Sequence, residues 1–247
     1  MAHAPRSVMV LCASRCPGER VSDDGQHRPK QQRKDQSMTE SSAPAWPNGV
    51  RGLNKLASPI RQIGVIVRDI DAAMRHWTEL TGIGPFVVFR NVELEDDYRY
   101  SGSIAKPPVV DLALGYSGAL QFELIQQLND APSGYLDYLA AGQEGMQHVS
   151  PQFASPEEYD AAYAHLTGNG LKLVHEGRMK GTPFRFAYFS APGGGFPQFE
   201  ISEVRHPALM PAFERIEALN AAWDGTTPAV IEIHDMADMG RILGLES

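Results

Sequence analysis

Gln62-Ile-Gly-Val-Ile-Val67 is a short segment rich in β-branched residues, and 18 residues after its glutamine comes Leu80-Thr-Gly-Ile-Gly84. The same spacing recurs later in the chain, where His148 lies 18 residues before Leu166-Thr-Gly-Asn-Gly170, an offset of 86 at both places. Each half also carries a shared tripeptide, Gln121-Phe-Glu123 in the first and Gln198-Phe-Glu200 in the second. Self-similarity at a fixed long offset marks a duplicated structural unit. The elements of one half should therefore reappear in the other.

Residues 62–67 read as a strand. Asp69-Ile-Asp71 then offers carboxylates to cap a helix with Ala73, Trp77 and Leu80 on one face, ending at Thr81-Gly82. Val109–Tyr116 and Ala119–Gln126 meet at Ser117-Gly118 and read as a hairpin. In the second half a strand over His148–Phe153 precedes Ser155-Pro-Glu-Glu158, a capping box with proline at the first helical position. Its helix carries Tyr159, Ala162, Tyr163 and Leu166 on one face and stops at Thr167-Gly168, and strands follow over Phe184–Ser190 and Pro197–Ser202. The expected fold is α+β, two tandem βαβββ modules over residues 59–128 and 145–203.

The polar residues inside these strands carry the chemistry. The opening strand of each module has a metal-capable side chain near its start, Gln62 or His148, and the last strand has a glutamate between apolar neighbours, Glu123 or Glu200. Alternation puts each glutamate on the face opposite its flanking phenylalanine and aliphatic residue. If those apolar residues face a covering helix, both glutamates face the concave side of the sheet. Two unpaired carboxylates in one cavity cost several kcal/mol through desolvation and repulsion. A divalent cation held by both, with His148 and Gln62 completing the set, removes that cost.

Composition bounds the rest. The 247 residues are 43% hydrophobic, enough for a sizeable core, and the longest apolar run is the six residues Val8–Ala13, far short of the ~20 of a membrane helix. A net charge of −8 is the wrong sign for binding a phosphate backbone, so neither membrane nor nucleic acid is an expected partner. Residues 1–37 hold seven Lys/Arg against four Asp/Glu, and the remainder hold 15 against 26. Residues 1–58 lack apolar periodicity and read as a disordered leader, with Met38 as an alternative translation start. The two cysteines, Cys12 and Cys16, both fall there, leaving no disulfide framework, and a cytoplasmic setting is expected. Residues 204–247 read as a tail whose Ala208–Trp223 stretch is a helix packing on the body or on a second subunit.

Gln62-Ile-Gly-Val-Ile-Val-Arg-Asp-Ile-Asp-Ala-Ala73, Leu80-Thr-Gly-Ile-Gly-Pro-Phe86, Leu120-Gln-Phe-Glu-Leu-Ile125 and Gly145-Met-Gln-His-Val149 resemble the vicinal oxygen chelate superfamily, in its glyoxalase and methylmalonyl-CoA epimerase branches. The resemblance spans about Pro59 to Glu203. It implies paired modules forming a cupped mixed sheet around one divalent metal ion, of unspecified identity among Zn, Ni, Co, Mn and Mg, with a small-molecule substrate and a homodimeric state. Epimerases of this group usually carry histidine where Gln62 stands. The set Gln62, Glu123, His148 and Glu200 instead matches the glutamine-first glyoxalase I type. The loop Ala191-Pro-Gly-Gly-Gly-Phe-Pro197, however, lacks the Asp-Pro-Asp-Gly run usual in glyoxalases.

The implied function is a metal-dependent isomerase, epimerase or lyase acting on a carbonyl or acyl-CoA compound through an enolate-like intermediate. A lactoylglutathione lyase-type activity and a non-catalytic small-molecule binder are the alternatives. For the catalytic base, alignment to the epimerase strand points to Asp111, and the ligand carboxylates Glu123 and Glu200 are the other candidates. Arg178, Lys180 and Arg185 form a basic loop able to meet a substrate anion, or simply solvated. Tyr188 is a candidate cavity residue.

Overall fold

The computed structural model describes residues 59–195, 197–226 and 228–245; the leader read over residues 1–58, with its two cysteines, lies outside the described residues. β1 (Ile60–Ile66) leads to α1 (Ile70–Thr81), where Asp69 accepts a hydrogen bond from the Ala72 N–H at 2.9 Å. Gly82 ends α1 at φ 73°, a left-handed conformation that glycine adopts without a Cβ penalty. β2 (Phe86–Glu93) follows, then a small hairpin of β3 (Arg99–Tyr100) and β4 (Ser103–Ile104), then β5 (Val109–Ser117) and β6 (Leu120–Gln127), which turn at Gly118.

After α2 (Gly134–Ala140) the order repeats as β7 (Gly145–Pro151), α3 (Pro156–Gly168), β8 (Lys172–Arg178), β9 (Arg185–Ser190) and β10 (Gln198–Ser202). Ser155 caps α3 by accepting from the Glu158 N–H, and Glu158 accepts from the Ala154 N–H. β7 begins and ends earlier than the strand expected over His148–Phe153, because its antiparallel pairing with β1 runs from Gly145 opposite Ile66 to Pro151 opposite Ile60. α4 (Met210–Ala222), β11 (Val230–Ile233) and α5 (Met239–Leu243) complete the described chain.

One sheet unites these strands in the order β11-β2-β5-β6-β1-β7-β10-β9-β8-β3-β4. Outward from the β1–β7 seam both modules read alike, β1-β6-β5-β2 on one side and β7-β10-β9-β8 on the other. The register makes the symmetry local as well. Gln62 lies opposite Ser150 and Gly64 opposite His148, so a pseudo-twofold passes between Ile63 and Val149, which are themselves 86 residues apart. The parallel pairs obey it too: Gln62 is level with Gln121 in β6, and His148 with Gln198 in β10. The outer strands also meet. Leu94 bridges Met179, and the Glu95 N–H and Lys180 N–H bond to Arg178 O and Glu93 O, so the two edges join at one end and the sheet is cupped.

Apolar side chains divide by face as strand alternation requires. On the convex side α1 packs on Val65, Val88 and Leu124 with Phe122 beside Trp77, and α3 packs on Phe189, Ile201 and Phe199. The concave side of the first module is covered by α4, whose Ala212 and Ile216 join Val87, Leu114 and Ile125 in a third core. The helix expected over Ala208–Trp223 thus packs on the body, inside the cup. Asn220 fastens it, accepting from the Tyr116 N–H at 2.9 Å and donating to Pro85 O at 3.0 Å, while β11 adds a strand in parallel to β2.

The packed face of α1 differs from the expected stripe at one position. Ile70 and Met74 are buried and Ala73 and Trp77 partly so, whereas Leu80 in the last turn is 70% exposed. A Met74→Ala variant should therefore lose about 2–5 kcal/mol in denaturant unfolding. Leu80→Ala should change stability by less than about 0.5 kcal/mol.

Candidate metal centre

His148 is set by a glycine. Its imidazole lies over Gly64 on the neighbouring strand, and a Cβ built there would fall 1.7 Å from Cε1 and 1.9 Å from Nε2. Only a residue without a side chain leaves room for this ring. His148 Nδ1 is 2.7 Å from Gln147 Oε1, and Gln147 uses its Nε2 to donate to Gln198 Oε1 at 3.0 Å. With its amide oxygen free to accept, Gln147 takes the Nδ1 proton, so Nε2 carries the lone pair. Nε2 lies 3.3 Å from Glu123 Oε2 and 3.7 Å from Glu200 Oε2. Ligand-capable atoms of Glu123, His148 and Glu200 all fall within 4.8 Å of one another.

Gln62 is held in a matching way. Its Nε2 donates to Gln121 Oε1 at 2.9 Å, and Gln121 in turn donates to the Tyr116 hydroxyl. That leaves Gln62 Oε1 buried with no hydrogen-bond partner, and Glu200 Oε2 is left in the same condition. Two orphaned buried oxygens, a second carboxylate and an unprotonated ring nitrogen thus gather at one end of the same cavity. Unsatisfied buried acceptors are rare because each costs its lost hydration. A divalent cation satisfies all four, and three oxygens with one nitrogen form a donor set such an ion accepts.

The ionisation of these groups records the same cost. Burial pushes Glu123 up to about 7, with the Gln62 amide opposing, and burial together with the Glu123 charge pushes Glu200 up to about 7. Burial drives His148 down to about 4, with the Glu200 charge opposing. Each group is held toward its neutral form because the apolar surroundings penalise charge.

Gln62, Glu123 and Glu200 close one end of a cavity of about 110 Å³ on the concave side of the sheet. Leu112 and Leu114 of β5 form one wall, Phe186 and Tyr188 of β9 another, and Phe213 and Met236 of the C-terminal segment lie across them. Tyr188 does line the cavity. Its hydroxyl is 3.5 Å from His148 Nε2 and accepts from Tyr135 at 3.2 Å, a partner the sequence did not single out. The amides of Gln121, Gln147 and Gln198 were likewise unassigned, although two of them open the repeated Gln-Phe-Glu tripeptides.

Gln62, Glu123, His148 and Glu200 are brought together; Asp111 is not. Val110, Leu112 and Leu114 face the cavity, so alternation turns Asp111 to the other side of β5. There its carboxylate meets Arg90 Nη1 at 2.9 Å and the Asn91 N–H at 2.8 Å. The basic loop is also engaged elsewhere: Arg178 pairs with Asp97, Lys180 with Glu93, and Arg185 with Glu203 and Asp160.

Two outcomes follow for the centre. The raised carboxylates contribute stability that is present below about pH 4.5 and lost as pH rises through about 7. The depressed His148 contributes stability that is present above about pH 6.5 and lost as pH falls through about 4. Chelator-treated protein should therefore show a Tm that falls between about pH 5 and 7 and levels off above, and excess divalent metal should raise Tm most above pH 7, which differential scanning fluorimetry measures. Gln147→Ala, which removes the acceptor for the His148 Nδ1 proton, should weaken metal binding about 10- to 100-fold in isothermal titration.

The family model described as Glyoxalase/Bleomycin resistance protein/Dioxygenase superfamily matches residues 61–189, just over half of the chain. No curated protein matches the chain by sequence. Among solved structures, methylmalonyl-CoA epimerase from Mycobacterium tuberculosis is 21% identical, with 63% of this chain and 93% of that one covered and a TM-score of 0.44. A Streptomyces coelicolor methylmalonyl-CoA epimerase variant in complex with 2-nitronate-propionyl-CoA is 20% identical, with 62% and 97% covered and a TM-score of 0.41. The duplicated modules and the model matching them make the chain a member of the glyoxalase/bleomycin resistance protein/dioxygenase superfamily.

Proposed function

We propose that the protein is a divalent-metal-dependent enzyme that moves a proton on the carbon beside a carbonyl group, as an epimerase or isomerase. The observation that carries this reading is the convergence of Glu123, His148 and Glu200 within 4.8 Å at the closed end of an apolar cavity. When bound, the ion supplies Lewis-acid stabilisation of negative charge on a carbonyl oxygen. Gln62 Oε1, Glu123 Oε2, His148 Nε2 and Glu200 Oε2 are the atoms that would hold it.

Proton transfer falls to the carboxylates. Glu123 and Glu200 both present a carboxylate to the cavity, and a carboxylate that leaves the ion can take a proton from a neighbouring carbon and return it. They come from opposite modules related by the pseudo-twofold, and we place them on different sides of a bound carbon. An epimerase needs that disposition, one group to take the proton and another to deliver it to the opposite face. Asp111, bonded to Arg90 on the other side of β5, has no part in this reading. The four-residue donor set favours a second reading, a lyase acting on the adduct of a 2-oxoaldehyde and a thiol.

Solvent exchange tests both. In D2O the metal-loaded protein should incorporate deuterium at the carbon beside the carbonyl of a 2-methylacyl thioester or a 2-hydroxyketone, read by NMR. Glu123→Gln and Glu200→Gln should each slow exchange by about 10²-fold or more. Formation of a hydroxyacyl thioester from methylglyoxal and a thiol would place the protein with the lyases. Stoichiometric metal without exchange or lyase activity would overturn the enzymatic reading.

A further inference from the structure

The cavity at the carboxylates is walled on three sides by different parts of the chain, and its chemistry is one-sided. From the first module come Val110, Leu112, Leu114 and Ile125; from the second come Met179 and Phe186. The roof is supplied by residues beyond Glu203, namely Ala212, Phe213 and Ile216 of α4 and Met236 and Met239 after β11. Nothing in the repeat calls for this roof. It is fastened by Asn220 to both the Tyr116 N–H and Pro85 O, by the Arg215 Nε–H to Leu243 O at 2.9 Å, and by the parallel pairing of β11 with β2.

Positive charge is missing where an anionic substrate would need it. Arg185 is the cationic residue of the lining, and its guanidinium is committed to Glu203 at 2.6 Å and to Asp160 at 2.7 Å. Met179 and Met236 also border an outer pocket of about 280 Å³, whose Arg90 and Lys180 are held by Asp71, Asp111 and Glu232 and by Glu93 respectively. Among the described residues, neither chamber offers a cation that is not already engaged by a carboxylate. A phosphate or free carboxylate at the roof end, away from an ion whose charge Glu123 and Glu200 already balance, would be buried among apolar side chains without a partner.

From this we infer that the substrate is a small, uncharged and largely apolar carbonyl compound, and that α4 with the segment after β11 sets its size. The inference rests on the metal-dependent reading above and narrows its substrate class. It separates two parts of the molecule: the modules supply the reacting end, and the C-terminal segment determines how long an apolar tail fits behind it.

A series of hydroxamates, whose two neighbouring oxygens chelate a divalent ion, tests it on the metal-loaded protein by isothermal titration. Lengthening from acetohydroxamate toward hexanohydroxamate should tighten binding about fourfold per methylene until the cavity is full. Adipate monohydroxamate, of equal length but ending in a carboxylate, should bind at least tenfold more weakly than hexanohydroxamate. Ala212→Leu should move the preferred tail to a shorter length and Phe213→Ala to a longer one; a shift in either variant supports the roof, and no shift in both overturns it. Equal or tighter binding of the carboxylate-ended probe, or no gain with length while acetohydroxamate still binds, would overturn the substrate class alone. Failure of the protein to bind the metal, or of the loaded protein to bind acetohydroxamate, would overturn the metal-dependent reading and this inference with it.

Discussion

His148 lies flat on Gly64 at the seam between the modules, and much of the molecule is arranged around the consequence. The ring brings an unprotonated nitrogen against two carboxylates in a space walled largely by apolar side chains. The protein fixes this arrangement through hydrogen bonds made elsewhere: His148 Nδ1–H donates to Gln147 Oε1, and Gln62 Nε2 donates to Gln121 Oε1. What remains at the centre is a set of acceptors. A fold that merely tolerated these side chains would have given each a partner of its own, whereas this one turns the Nδ1–H of His148 outward and leaves Gln62 Oε1 and Glu200 Oε2 without one.

The pseudo-twofold explains how so exacting a site arises from simple parts. Parallel pairing sets Gly64 beside Glu123, and the equivalent pairing in the second module sets Ser150 at the matching place, so small residues lie next to both ligand strands. The symmetry of the backbone is then broken by side chains. Gln62 is replaced by His148, and Leu114, which faces Glu123 across the hairpin, is replaced by Tyr188, which faces Glu200. One glutamate therefore has an aliphatic neighbour and the other a phenol tied to Tyr135. Two carboxylates of the same chemical kind thus stand in different surroundings, which in the proposed reaction would distinguish a proton acceptor from a proton donor.

Much of this was legible in the sequence because duplication repeats its own signals. The capped helices, the hairpin turn at Gly118 and the four converging residues all follow from spacing and alternation. Features that depend on register were not legible. That Gly64 must be glycine, that Gln147 orients His148 and that β7 starts at Gly145 are properties of which residue stands opposite which, and a one-residue slip would exchange every face. Asp111 illustrates the same limit from the other side. The exposure of Leu80 is a smaller case, since periodicity marks a helix face without saying how far along that face the sheet extends.

The roof is the part that periodicity marks as a helix while leaving open whether it packs on the body or on a second subunit. An apolar stripe such as Ala212 with Ile216 requires some surface to cover, and a cupped sheet presents two. The convex face is already taken by α1 and α3, as the duplicated pattern requires, so the remaining apolar surface lies on the concave side where the carboxylates are. Covering it has two inseparable effects. The helix lays apolar side chains over the carboxylates, which lowers the local polarity and strengthens every electrostatic interaction at the centre. By the same contacts it adds apolar surface to the wall around Glu123 and Glu200. Enclosure of the site and, on the reading proposed above, restriction of its substrate are thus one structural act, performed by a segment outside the repeat upon residues that the repeat supplies.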